Sequence, residues 1–150
     1  MKFNFFPVLI CLILLGSCSD DDSEPAKSDA ELIGSGVAWK LSSATANDIS
    51  IISLVDECIL DNLITFNYDD KTGLVDIGAS KCSDSEPQTE SFVWDYNEAS
   101  KALTVDKTIL DVPGAEGNLL LESVTSNELV VSQNVSFSGF TQKVIVTLVH

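Results

Sequence analysis

From Val37 onward the chain is written in a two-residue period. Ile64, Phe66 and Tyr68 alternate with Leu63, Thr65 and Asn67, and Phe92, Trp94 and Tyr96 alternate with Val93 and Asp95. Successive side chains of a strand point to opposite faces, so this alternation suits a sheet with one buried face and suits no helix, whose faces recur every 3.6 residues. Turn residues separate the runs. Asp70-Lys71-Thr72-Gly73 is a hairpin turn in which glycine is expected to supply the positive φ, and Asn97 to Lys101 and Thr125 to Glu128 reverse the chain further on. Near-continuous apolar runs follow at 119–124, 129–135 and 144–149. The reading is about eight closely spaced strands with no recurring helix between them, an antiparallel up-and-down meander. Closing it into a barrel removes the two hydrogen-bonding edges. A sandwich is the second arrangement that the strand pattern permits.

One segment departs from this period. Ile51, Leu54, Val55, Cys58 and Ile59 fall at the i, i+3, i+4, i+7, i+8 spacing of an amphipathic helix. Asn47 or Asp48 is placed to cap it, and a short helix lying over one mouth of the barrel is expected.

Residues 1–33 stand apart from the fold. Lys2 followed by the apolar run 3–15 has the proportions of a signal-peptide core and is shorter than the roughly 20 apolar residues of a membrane-spanning helix. Leu15-Gly16-Ser17-Cys18 resembles the lipobox of bacterial lipoproteins. The division expected is a signal peptide over 1–17, a lipidated Cys18 opening an acidic disordered tether over 18–33, and a folded domain over 34–150. Residues 19–31 carry six acidic side chains and no aromatic, too little apolar surface to offset the entropy of ordering them. The Ser19-Asp20-Asp21-Asp22 run also resembles the acidic export signal of surface lipoproteins of Bacteroidetes. These resemblances imply a cell-envelope protein, held in the outer membrane by acyl chains on Cys18 and facing outward. More than one acyl chain is needed for stable anchoring, and a triacylated cysteine meets that condition.

Charge excludes more than it assigns. With 8 basic and 23 acidic side chains the net charge is −15, so nucleic acid is no partner, because phosphate binding is driven by lysine and arginine. Seven of the basic residues lie beyond Lys2, all of them lysine, which favours a neutral or cationic ligand over an anionic one. A single histidine, His150, leaves no internal partner for a Ser-His-Asp or Cys-His scheme. The Asp69-Asp70 pair lacks calcium-loop spacing, since Lys71 sits where a ligand is needed. No pair of carboxylates is singled out, so the expectation is a non-enzymatic protein with no cofactor and no metal.

Of four cysteines, Cys11 leaves with the signal peptide and Cys18 is acylated. Cys58 and Cys82 remain, an even pair in an oxidising compartment, and a disulfide is expected. Asp56, Glu57 and Asp84 oppose thiolate formation, which argues against a reactive thiol. Trp39, Phe66, Phe92, Trp94 and Tyr96 are expected to face one interior. They make either a packed core or the lining of an apolar pocket whose indole and phenol groups orient a ligand.

With these residues in order, the chain resembles the small lipocalin-like lipoproteins of Bacteroidetes. The resemblance runs over roughly 34–150. It rests on Trp39-Lys40-Leu41 after a glycine, Asp56-Glu57-Cys58 before Thr65-Phe66-Asn67, Cys82, Trp94-Asp95-Tyr96, Leu103-Thr104-Val105, and Asn127-Glu128-Leu129-Val130-Val131. It implies an all-β, eight-stranded lipocalin-like barrel and a Cys58–Cys82 pair, and no established activity. One departure is visible: Gly36 lies three residues before Trp39, where lipocalins place glycine two before. Two functions follow as expectations. The first is a lipid-anchored module holding a small apolar or amphipathic ligand among the five aromatic residues. The second is an envelope accessory protein that meets a partner through its outer surface, loops or tether while its interior is packed.

Overall fold

The computed structural model describes residues 25–110, 115–137 and 139–150. The expected signal peptide over 1–17 and Cys18 lie outside the described residues, as does the tether up to residue 24. The fold is all-β with two short helices. Its strands are β1 (Ser35–Ala46), β2 (Ile49–Ser50), β3 (Leu63–Asn67), β4 (Thr72–Asp76), β5 (Thr89–Asn97), β6 (Ala102–Val105), β7 (Ala115–Val124), β8 (Glu128–Phe137) and β9 (Phe140–Val149). Every pairing is antiparallel, and β1 pairs with β9 to close the sheet into a ring. Among the described residues there are nine strands, where about eight were expected. The addition is β2, which takes the edge of β1 at Thr45 and Ala46, beyond the reach of β3 on that same edge.

The long first strand carries the extra residue noted between Gly36 and Trp39. Its register with β3 shifts between Ser35 and Ala38, and Gly36 takes φ +75°. A bulge of this kind inserts one residue and re-aims the next ones. Trp39 therefore points inward, fully buried opposite Ile64, while Val37 is left half exposed.

Gly73 has a different role from the one expected. The positive φ of the β3–β4 turn belongs to Lys71, whose side chain lies over the rings of Tyr68 and Trp94. Gly73 sits inside β4, paired with Phe66 on one side and Phe92 on the other. Its missing side chain is the space in which those two rings meet edge to face, centroids 5.2 Å apart, and a Cβ there would overlap the Phe92 ring. Gly73→Ala is expected to lower stability by about 1–3 kcal/mol through overpacking. The double change Gly73→Ala with Phe92→Leu should recover part of that loss in urea denaturation.

The expected helix over 51–59 is broken in two. A 3₁₀ turn covers Ile52–Leu54 and α2 covers Glu57–Leu60, with Val55 extended between them. Asn47 and Asp48 do not cap it; both take positive φ in the β1–β2 turn. Serines and β-branched residues weaken a continuous helix, and Leu54, on the expected apolar stripe, is 81% exposed. Only Ile51 and Ile52 of this segment pack on the core. The expected disulfide is present: Cys58 of α2 joins Cys82 of the β4–β5 connection, Cα atoms 5.2 Å apart.

The expected tether overlaps ordered structure. Ser28 caps α1 (Asp29–Ile33), accepting from the Glu31 amide while the Glu31 carboxylate accepts from the Ser28 amide. This reciprocal box satisfies two otherwise orphaned donors. Ile33 is fully buried in the core, so the folded unit reaches back to Ser28 and not merely to Gly34. Burial of Ile33 supplies the apolar contact that composition over 19–31 did not.

Candidate functional site

The five aromatic residues singled out from sequence share one interior. Trp39, Phe66, Phe92, Trp94 and Tyr96 are at most 9% exposed and belong to a single core with Leu103, Leu129, Val131 and Leu148. Their polar atoms are engaged by the protein itself. The Trp94 indole donates to the carbonyls of Thr72 at 3.0 Å and Asn67 at 3.2 Å. The Trp39 indole donates to the Ile33 carbonyl at 3.1 Å, and the Tyr96 hydroxyl donates to Asp29 at 3.0 Å. A buried N–H or O–H satisfied in this way fixes ring orientation and is not free to orient a ligand without breaking a bond. The five residues behave as a packed core in the half of the ring that α1 covers.

That cover is held by charge as well as by Ile33. Lys101 donates to the Asp29 carboxylate at 2.7 Å. The Lys101 bond, reinforced by the Tyr96 hydroxyl against the opposing effect of burial, holds the Asp29 carboxyl below its usual range. Its folded value thus lies below its unfolded one. The stabilisation is complete above the unfolded value, near 3.9, and is lost as pH falls through the folded one. Acid titration should therefore loosen α1, read as a change in near-ultraviolet circular dichroism from Tyr96 and Trp39, and Asp29→Asn should remove most of that step. Sequence reading missed Asp29, Lys101 and Ile33 as partners of this end. The one legible signal was the Ser28-x-x-Glu31 capping box.

The other end of the ring is built differently. β6 has four residues and pairs with β7 only at Ala102 and Leu103. Beyond Val105 the chain leaves the sheet, and Ile109 and Leu110 enter the core, 6% and 8% exposed. A cleft of about 350 Å³ lies where β6 stops, lined by Val105, Leu110 and Leu119 with Asp106, Lys107, Thr108, Asn118 and Gln133. None of the five aromatic residues lines it. Its charged groups are already engaged: Lys107 pairs with Glu90 at 2.8 Å, and Asp106 accepts from the Val93 amide at 2.7 Å. The lining is mostly polar, with Thr108 and Asn118 as uncharged groups beside a smaller apolar share from Val105, Leu110 and Leu119, so this cleft suits a small neutral polar molecule better than an ion or an apolar one.

Among the described residues no group of three or more His, Cys, Asp or Glu side chains lies close enough to hold a metal, and no helix there is long and apolar enough to cross a membrane. His150, the one histidine, stacks on Trp39 with centroids 3.7 Å apart. No protein-family model matches the chain, and no curated protein matches it.

Proposed function

We propose that this is a lipid-anchored, lipocalin-like protein of the cell envelope, facing outward from the outer membrane, that acts as a non-enzymatic accessory or interaction module. In this reading the barrel is a packed support for its outer surface and loops. The observation that carries it is the engagement of the Trp39, Trp94 and Tyr96 polar atoms by Ile33, Asn67, Thr72 and Asp29. With those atoms bonded and Ile33, Ile109 and Leu110 packed into the core, the interior offers structure, and contact with a partner falls to the exterior. The anchor rests on the Leu15-Gly16-Ser17-Cys18 sequence and the acidic run behind it.

A second reading, a small neutral ligand, is favoured by the cleft beside Val105 and Leu119. It moves the ligand away from the aromatic set to the place where the sheet is thinnest. Native mass spectrometry of the exported protein separates the two. The interaction module predicts a bare mass, lighter than the reduced chain by the two thiol hydrogens of Cys58 and Cys82. A reproducible added mass that vanishes on denaturation would overturn it in favour of the ligand carrier.

A further inference from the structure

Among the described residues, part of β5 has a strand edge without a partner strand. β5 has nine residues and β6 four, and their pairing ends at Trp94 opposite Val105. One further step continues through a side chain: the Asp106 amide donates to the Val93 carbonyl at 3.1 Å, and the Asp106 carboxylate accepts from the Val93 amide. Above Val93 the even-numbered residues of β5 turn their backbone groups to β4, as the Trp94 amide does to Lys71. The odd-numbered ones turn theirs to the side where β6 is absent. The amide and carbonyl groups of Ser91 and Thr89, both exposed residues, therefore face the side of β6 and have no backbone partner there among the described residues. Such an edge is a template for one more strand.

Resting on the interaction reading above, we infer that the open edge of β5 at Thr89 and Ser91 is where an extended, basic peptide segment of a partner protein adds as a short antiparallel strand. The charge favours a basic segment. The chain carries −15 overall, and beside this edge Asp76 lies opposite Thr89, Glu90 stands between Thr89 and Ser91 with Lys107 paired to it, and Asp106 binds Val93, so carboxylates outnumber the one lysine there. A second copy of this chain would bring the same acidic surface to the edge.

Fluorescence polarisation tests this with the full chain in detergent and a labelled probe, Lys-Val-Thr-Val-Lys-Val-Thr-Lys. A control peptide with each valine replaced by glycine has the same charge and little strand propensity. The valine probe should bind at least tenfold more tightly than the control. Ser91→Pro removes the open amide without removing any bond of the folded ring, and should lower affinity at least tenfold. Ser91→Val keeps the amide and should retain binding. Circular dichroism checks that both variants fold. Equal binding of the two peptides would reduce the contact to charge, and indifference to Ser91→Pro would place it elsewhere; either result overturns the edge as the site, as does absence of binding. Because that readout involves no bound small molecule, its failure is distinct from failure of the packed-interior reading, which mass spectrometry decides.

Discussion

Replacing Trp94 by alanine is expected to destabilise the fold by about 3–5 kcal/mol, the range for truncating a buried aromatic residue. Trp94 is 1% exposed, and its ring meets Phe66 edge to face at 5.5 Å. Its indole also ties two carbonyls, Asn67 and Thr72, that flank the β3–β4 turn. Lys71 lies over the ring face 4.5 Å from its centroid, so the turn closes on the indole from above as well. Trp94→Phe keeps a ring and loses the donor, so a smaller cost of about 1–3 kcal/mol is expected from the two carbonyls left to find other partners. Urea denaturation followed by Trp39 fluorescence measures both. Domains of this kind are stable by about 5–15 kcal/mol, so the alanine variant sits near the edge of folding and the phenylalanine variant does not. A cost under about 1 kcal/mol for Trp94→Ala would mean a loosely filled ring, and would shift the functional reading toward a ligand chamber.

The parts of the fold that were legible in the sequence are those governed by side-chain alternation. The inward set of Ile64, Phe66, Phe92, Trp94 and Leu103 follows from a period of two, because a strand offers only two faces and the apolar residues occupy one of them consistently. The disulfide was legible because the expected leader and lipobox left Cys58 and Cys82 as the one even pair. What stayed hidden depended on contacts between distant residues. Gly73 reads as a turn glycine from its neighbours, yet its requirement comes from Phe92, a strand away and nineteen positions later. The helix predicted over 51–59 has a good apolar stripe and still breaks at Val55, since propensity and tertiary packing outweigh periodicity over so short a span.

The candidate site was legible in composition and hidden in role. Five aromatic residues on inward positions suit either a core or a pocket, and the difference lies in what their polar atoms touch. For Tyr96 that partner is Asp29, 67 positions earlier, within an acidic stretch that composition assigns to solvent. For Trp39 it is the carbonyl of Ile33, a residue that reads as the end of a tether. Ile109 and Leu110 fill the other end from a segment without periodicity, and nothing local marks them as core. The open edge of β5 was equally invisible, because it exists only by comparison of the lengths of β5 and β6 once they are paired.

The double replacement Cys58→Ser with Cys82→Ser is expected to cost about 3–4 kcal/mol of unfolding free energy, read by urea denaturation, from the unfolded-chain entropy that a 24-residue closure removes. The loss should be felt locally before it is felt by the ring. Neither the 3₁₀ turn nor α2 buries a residue fully, and neither has a side-chain cap. Apart from the disulfide, this region is tied to the β4–β5 connection chiefly by Asp61, which accepts from the amides of Ala79 at 2.8 Å and Ser80 at 3.1 Å. Gly78 has φ +66° and packs so close to Asp61 that a Cβ would collide with it, so this contact is specific to the folded loop. Hydrogen exchange of the serine variant should therefore rise first over residues 57–62 and 78–83 while the strands of the ring keep their protection, because strand pairing there does not pass through either cysteine. Adding Asp61→Ala to the double variant should free the segment altogether and leave the ring folded. If exchange instead rises uniformly across β3, β4 and β5, the disulfide is holding the ring itself closed, and the loop is part of the core's cooperative unit and not an appendage clamped onto it.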